Sequence, residues 1–190
     1  MPADARPATH VATDVVACCD DAPTHLALSL LRQADALAAA HQAPGAPPYA
    51  RPVGAHLRHV VEHFEALLAP AEDGVVDYDA RDRDAALEAS PALARARIAA
   101  LQAALARPQD PARPLRLRGL TGPDGGARFE VPTSHGRELA FVASHAVHHF
   151  ALLAAHCRRH ALPTPEGFGI APATLAHARA ALHALQQEAA

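Results

Sequence analysis

Lysine is absent from this chain of 190 residues, and all seventeen basic residues are arginine. Without lysine there is no P-loop phosphate site built on that side chain, no Schiff base and no lysine general base. The formal net charge is only −3 at neutral pH. Because binders of nucleic acid or anionic membranes usually carry a basic surplus, this balance argues against both kinds of partner. Fourteen histidines are therefore the main source of chemistry.

Cysteine is also scarce, with only Cys18, Cys19 and Cys157. These three do not make a disulfide framework, which favours a reducing compartment. Residues 1–10 lack the basic start and apolar core of a signal peptide, and we expect no apolar stretch long enough to span a bilayer. The sequence therefore predicts a soluble cytoplasmic protein, and its length is that of a single domain.

Common catalytic motifs are missing as well. The chain has no Gly-X-Ser-X-Gly elbow, and no cysteine lies in a readable Cys and His motif. The stretch from Asp73 to Glu88 is rich in aspartate, but it lacks the glycine and the closing glutamate of an EF-hand calcium loop. We interpret this acidic stretch as an irregular, solvated connection over the surface.

The spacing of apolar residues predicts a helical protein. Residues 1–22 show no sustained periodicity and are interpreted as a flexible arm, and residues 23–190 as a single domain. Helical patterns cover residues 24–42, 53–69, 90–105, 134–161 and 173–187, and two alternating runs at 115–118 and 127–131 predict a β-hairpin. We expect an all-α fold: a four-helix bundle with long crossover connections, a small β-hairpin insertion and an extra C-terminal helix. Such bundles build metal sites from inward-facing side chains.

The most informative stretch is Ser144-His145-Ala146-Val147-His148-His149, in the fourth predicted helix. His145 and His149 are four residues apart, so they face the same side of a helix and could bind one metal ion together. An unpaired buried polar group costs about 1–3 kcal/mol, and metal coordination is one way to offset that cost. A lone histidine here would favour a hydrogen-bonded core ring, whereas a pair at this spacing favours the metal.

The same helix has a predicted core stripe of Leu139, Val142 and Leu152, with His145 or Ala146 and His149 between them. His148 lies beside this stripe and is interpreted as a half-exposed surface residue, with a metal neighbour or a substrate contact as alternatives. Five further histidines are scattered without a common geometry and are interpreted as surface residues: His135, His156, His160, His177 and His183.

The second predicted helix offers three candidates for a third ligand. Its apolar face is centred near Val60 and Leu67, and His56 and His63 lie nearer to that centre than His59. Periodicity therefore favours His56 or His63. A flank residue such as His59 could still contribute if the neighbouring helices lie on its side.

Two segments resemble the DinB-like (YfiT-like) superfamily of metal-binding helical-bundle proteins. Gly54-Ala55-His56-Leu57-Arg58-His59-Val60-Val61-Glu62-His63-Phe64 is similar to the segment that carries the family's first metal histidine, followed by two small or apolar residues and an acid. Ser144-His145-Ala146-Val147-His148-His149 is similar to the family's His-X-X-His-His segment, which supplies two more ligands. The resemblance spans roughly Thr24 to Leu162 in the order of elements.

Transferred residue by residue, the resemblance implies that His59, His145 and His149 hold a divalent metal ion. Zinc or nickel suits three imidazoles best, with iron or manganese as alternatives. The superfamily includes metal-dependent transferases of small thiols and related isomerases and hydrolases. The resemblance thus implies a thiol S-transferase or hydrolase that acts on a small-molecule thiol or electrophile.

Three side chains near the implied ligands are candidates for a catalytic base or a neighbour of the metal: Glu62, His63 and His148. A second hypothesis is a non-catalytic, metal-stabilised helical bundle that acts as a homodimer or as a partner-binding module. The alanine-rich helices, which allow close packing, and the absence of an evident catalytic triad motivate that alternative.

Overall fold

The structure, a computed structural model, describes residues 22–188. Residues 1–21, which make up nearly all of the predicted N-terminal arm and include Cys18 and Cys19, lie outside the described residues, as do residues 189–190. Ala22, the last residue of the predicted arm, is the first residue of a helix.

Helices make up most of the described chain. The elements follow one another as α1 (Ala22–Ala40), a helical turn (Ala50–Gly54), α2 (Ala55–Leu68), β1 (Val75–Asp77), α3 (Ala85–Ala89), α4 (Pro91–Leu105), β2 (Pro114–Thr121), β3 (Ala127–Ser134), α5 (His135–Arg159) and α6 (Pro172–Glu188). The helix-rich part of the predicted fold is therefore confirmed.

Local signals in the sequence explain where several helices begin. The Ser90 hydroxyl accepts a hydrogen bond from the Leu93 N–H at 3.1 Å, and Pro91 occupies the first turn of α4. Ser134 precedes α5 in the same way. A side-chain oxygen at this position satisfies an N–H group that the helix itself leaves unpaired, so these starts are fixed locally.

Four helices pack around one hydrophobic core. Both α1 and α2 contact α4 and α5. The predicted stripe of α4 is confirmed, because all four of its residues are buried: Ala94, Ile98, Leu101 and Leu105. This arrangement brings one face of α2 directly against α5, which matters because the histidine segments lie on these two helices.

A small sheet of three strands lies beside the helices, in the order β1-β2-β3. The predicted hairpin is present, with β2 and β3 antiparallel and Leu117 opposite Val131. β1 pairs with β2 in parallel, with Val76 opposite Leu117.

The interpretation of the Asp73 to Glu88 stretch as an irregular surface connection is wrong. The stretch contains β1 and α3, and its apolar residues Val76 and Leu87 are fully buried. Its aspartates make local bonds: Asp84 caps α3, and the Asp77 carboxylate accepts hydrogen bonds from two backbone N–H groups. Two valines are too short a run to show alternation amid so many charged residues.

In the described part of the chain, one helix, α5, is long and apolar enough to cross a membrane by length and composition. The expectation that no stretch has this length is therefore wrong. One face of α5 is nevertheless buried in the core through Leu139, Val142, Phe150 and Leu153. Core helices of soluble domains commonly pass the same test of length and composition.

The C-terminal helix α6 differs from the others because its apolar stripe faces solvent. Leu182 and Leu185 are 60% and 63% exposed. The helix itself is present where the sequence predicts it, but those leucines do not contribute to the core.

Candidate metal centre

Histidines from α2 and α5 meet where the two helices face each other. The Nε2 atom of His145 lies 2.8 Å from Nε2 of His59 and 3.1 Å from Nε2 of His149. Ligand nitrogens of His59, His63 and His145 all lie within 4.8 Å of one another. Three histidines are therefore close enough to bind one metal ion.

The spacing of these nitrogens fits a small cation. A tetrahedral zinc ion with Zn–N bonds of about 2.0–2.1 Å separates its ligand nitrogens by about 3.3 Å. The His145 Nε2 atom faces two other Nε2 atoms at 2.8 and 3.1 Å, which is shorter than that separation, so the rings would move slightly apart around an ion. An imidazole nitrogen carries at most one proton, so hydrogen bonding satisfies this crowded set only in part. A cation among the nitrogens would satisfy all of them.

His56 forms a hydrogen bond with His149 on the side of the ring away from His145. The two Nδ1 atoms lie 2.7 Å apart, so one ring donates to the other. When His149 is the donor, its Nε2 lone pair points toward His145. A metal-binding histidine usually donates its other N–H group in this manner, which fixes the ring orientation. His56, favoured by periodicity as a ligand, thus occupies the position of an orienting residue.

His63 is buried, and both of its ring nitrogens have a hydrogen-bond partner. Its Nδ1–H donates to the backbone carbonyl oxygen of His59 at 2.6 Å, and its Nε2 lies 3.1 Å from Nη1 of Arg81. The ring also stacks on Tyr78, with centroids 5.2 Å apart. Since a guanidinium only donates, the His63 Nε2 lone pair is directed at Arg81.

Arg81 also controls the proton on His59. Its Nη2 lies 3.2 Å from Nδ1 of His59, which must accept that bond. A neutral His59 ring then carries its proton on Nε2, the atom that faces His145. Binding a metal through this Nε2 requires Arg81 to leave Nδ1. The sequence does not predict a role for Arg81, because its only local signal is a position within the acidic stretch.

The other two candidates for a catalytic base differ in accessibility. Glu62 is 4% exposed; its Oε1 accepts from the Asp84 backbone N–H at 2.8 Å, and its Oε2 lies 3.6 Å from Nε of Arg81. It therefore holds Arg81 and the start of α3 in place. His148 is exposed, with its ring 5.5 Å from that of His149, so it borders the cluster on the solvent side.

Burial keeps the clustered rings neutral. It is the main cause that lowers the pKa of His59, His63 and His149 from 6.5 to about 3. Nearby positive charge, including Arg81 for the first two rings, lowers these pKa values further. The pKa values of His56 and His145 are also lowered, chiefly by burial. Neutral rings have the lone pair that metal binding needs.

The ligand face of α5 is rotated relative to the predicted core stripe. Leu152 is 54% exposed, whereas Phe150 and Leu153 are buried. His145 and His149 are therefore half-buried at the edge of the core, beside Phe141, whose partly exposed ring stacks on His145. A site at this edge is partly exposed to solvent.

Periodicity on α2 and the scattered histidines also need correction. His59 contacts His145 although it lies off the apolar centre, because α5 lies on that flank of α2.

His135 is 1% exposed, so its interpretation as a surface residue is wrong. It is the first residue of α5, and its N–H donates to the Arg113 carbonyl oxygen. The turn before β2 covers it.

Comparisons with known proteins assign no family. No family model matches the chain, and no solved structure matches it. FK506-binding protein 5 from Rhizopus delemar is 33% identical over 105 residues, which is 54% of this chain. The match covers 27% of that protein, so the chain spans about a quarter of its length.

Proposed function

We propose that this protein is a metal-dependent enzyme of the DinB-like type, a thiol S-transferase or a hydrolase. Its divalent ion would be held by His59, His145 and His149. The observation that carries the proposal is the approach of the His145 Nε2 atom to the Nε2 atoms of His59 and His149, at 2.8 and 3.1 Å. The fold proposed with it is a four-helix bundle of α1, α2, α4 and α5, in which facing helices supply the ligands.

The ligand set includes His149 rather than His63 for a reason of hydrogen bonding. His149 has His56 as a partner for its Nδ1 atom, and its Nε2 lies 3.1 Å from Nε2 of His145. The His63 Nε2 atom is directed at Arg81. His63 then serves as a neighbour that holds Arg81 close to the ion, and Arg81 is the group that could bind a negatively charged part of a substrate.

When bound, the ion supplies Lewis acidity, which favours loss of a proton from a coordinated thiol or water. Zinc or nickel suits the three imidazoles best, with iron or manganese as alternatives. Exposed His148 is the residue best placed to carry that proton to solvent, because it borders the cluster and is not buried. Phe141 and Tyr78 provide an apolar wall beside His145 and His63. The substrate would be a small-molecule thiol together with an electrophile.

The proposal is tested by metal analysis of protein purified without a histidine tag. We expect bound metal in the wild type and in His177→Gln, an exposed histidine of α6 that serves as the control. His145→Gln and His149→Gln should each bind one ion fewer than the wild type. Full metal occupancy in both ligand variants would contradict the site. Thiol-dependent turnover of an electrophilic probe by the metal-loaded wild type, absent in His145→Gln, then tests the activity.

A second candidate function is a non-catalytic, metal-stabilised module that forms a homodimer or binds a partner. The exposed leucines of α6, Leu182 and Leu185, favour it. An ion with no coordination position open to solvent, together with no thiol turnover, would favour this role over catalysis. In both cases we propose a cytoplasmic protein without nucleic-acid or membrane partners, consistent with the net charge of −3.

A further inference from the structure

A second group of histidines lies at the C-terminal end of α5. His156 and His160 are four residues apart, and their ring centroids lie 4.5 Å apart. His41, which follows the last residue of α1, stacks on His156 with the rings nearly parallel and the centroids 6.3 Å apart. These rings belong to neither the ligands nor the neighbours of the first centre, because His156 lies seven positions after His149, about 10 Å along a helix.

The tautomer of His41 is fixed by its surroundings. The side chain is buried, with 8% exposed, and Nδ1 lies 2.9 Å from the Leu37 carbonyl oxygen. A carbonyl oxygen only accepts, so Nδ1 carries the proton and, in the neutral ring, Nε2 carries the lone pair. Among the described residues this Nε2 atom has no hydrogen-bond partner. A ring held by a backbone carbonyl at one nitrogen and free at the other is the usual arrangement of a metal-binding histidine.

Two more buried polar atoms near His41 lack a partner within residues 22–188. They are Nε2 of His156 and the hydroxyl oxygen of Tyr49. Tyr49 is 7% exposed, and its ring packs edge-on against His41 with centroids 5.6 Å apart. A buried polar atom without a hydrogen bond is costly and uncommon, so three in one group call for a ligand.

The neutral form of His156 can act as a metal ligand. Burial lowers the pKa of His156, and His160, His41 and Arg159 lower it further. The His156 ring is therefore neutral at neutral pH, and its lone pair is available. Imidazole nitrogens suit zinc, copper and nickel, whereas calcium and magnesium prefer oxygen ligands.

We propose that His41, His156 and His160 form a second metal site, which binds a divalent transition-metal ion such as Zn²⁺. The Tyr49 ring packs edge-on against His41. Binding one ion through all three rings requires the His160 ring to turn toward the other two, and it is free to do so because it is exposed at the end of α5. This site is independent of the proposed function, since it shares no residue with the first centre.

Equilibrium dialysis of the tag-free full chain against Zn²⁺ tests the proposal. We expect two ions per chain in the wild type and in the His177→Gln control. His160→Gln and His156→Gln should each lower the affinity for one ion by at least about 10-fold and leave the affinity for the other unchanged. Because His160 is exposed, its variant is not expected to affect folding. His145→Gln should weaken the other ion, so failure of the first centre and failure of the second are separate results.

Tyrosine fluorescence gives a second measurement, because the chain has no tryptophan and two tyrosines. In Tyr78→Phe, the remaining fluorophore is Tyr49, and a paramagnetic ion such as Ni²⁺ should quench it. His156→Gln should abolish that quenching. A single bound Zn²⁺ that only His145→Gln removes would overturn the second site. A second ion whose binding is unaffected by both His156→Gln and His160→Gln would also overturn it. The same holds for a zinc-soaked crystal in which a buried water, rather than an ion, contacts the three unpaired atoms.

Discussion

The two histidine groups on α5 differ in how their ring nitrogens are satisfied. In the first, the His145 Nε2 atom faces two other imidazole nitrogens, and Arg81 donates to both His59 and His63. In the second, Nε2 of His41 and Nε2 of His156 have no hydrogen-bond partner in the described chain. One group has too few protons for its nitrogens, and the other has too few partners. The same type of ligand, a cation, would satisfy both groups.

Metal binding in the first group depends more on the neighbouring side chains than metal binding in the second. A guanidinium that only donates competes with a cation for the His59 and His63 rings. In the second group the fixed partner of His41 is a carbonyl oxygen, which leaves the lone pair available. We therefore expect different responses to substitution in the two groups.

The largest expected effect is the loss of the first site in His145→Gln. The His145 Nε2 atom is common to both short contacts, so its removal takes away the central ligand. We expect Zn²⁺ affinity at this site to fall by more than about 100-fold, since loss of a mere supporting group costs about 10–100-fold. Competition with a chelating dye measures it, with His177→Gln as the control. Unchanged affinity would remove the distinction between the two groups.

Acid should destabilise the metal-free protein through the first group. His59, His63 and His149 have pKa values of about 3 in the folded chain, against 6.5 ordinarily. Between these values the unfolded chain binds more protons than the folded one, so stability falls as the pH drops from about 6.5 toward 3. Urea unfolding from pH 7 to pH 4 measures this slope.

His63→Gln should reduce the slope of stability against pH, because it removes one of the three rings. The exposed His25→Gln variant of α1 should leave the slope as it is. Equal slopes in wild type and His63→Gln would show that this ring does not resist protonation in the folded state.

Arg81→Met should strengthen Zn²⁺ binding at the first site. The change removes the hydrogen bonds to His59 and His63 and a positive charge beside the ion. We expect a gain of about 10-fold, a free-energy difference of about 1.4 kcal/mol. Arg83→Met is the matched control, since Arg83 is bonded to backbone carbonyls of neighbouring residues rather than to a histidine. Weaker binding in Arg81→Met would mean that Arg81 supports the ligands.

The smallest effect should come from the two tyrosines in the metal-free protein. Tyr49→Phe removes a buried hydroxyl without a partner, and we expect a gain in the free energy of unfolding of about 1 kcal/mol. Tyr78→Phe removes a hydroxyl that donates to Glu138 at 3.0 Å, so it should lower stability. Urea unfolding compares them. Destabilisation by Tyr49→Phe would show that its hydroxyl has a partner, and the second group would no longer differ from the first.

What the sequence could predict was mostly local. The start of α4 follows from Ser90 and Pro91, and the pairing of His145 with His149 follows from their spacing on one helix. The partner of that pair on α2 depends on which flank of α2 faces α5, so periodicity alone favoured His56 or His63. The burial of His135 depends on a turn that lies more than twenty residues earlier in the sequence. Arg81 reaches the histidine rings because β1 and the residues after it pass beside them.

α5 is a single helix of 25 residues, from His135 to Arg159, that carries ligands of both proposed sites. The midpoints of the His145–His149 and His156–His160 pairs are eleven residues apart, which corresponds to about 16 Å along an α-helix. Two Cu²⁺ ions at those positions would be close enough for their electron spins to couple measurably. The distance between the two ions could then be measured by electron paramagnetic resonance in solution and compared with the helical rise.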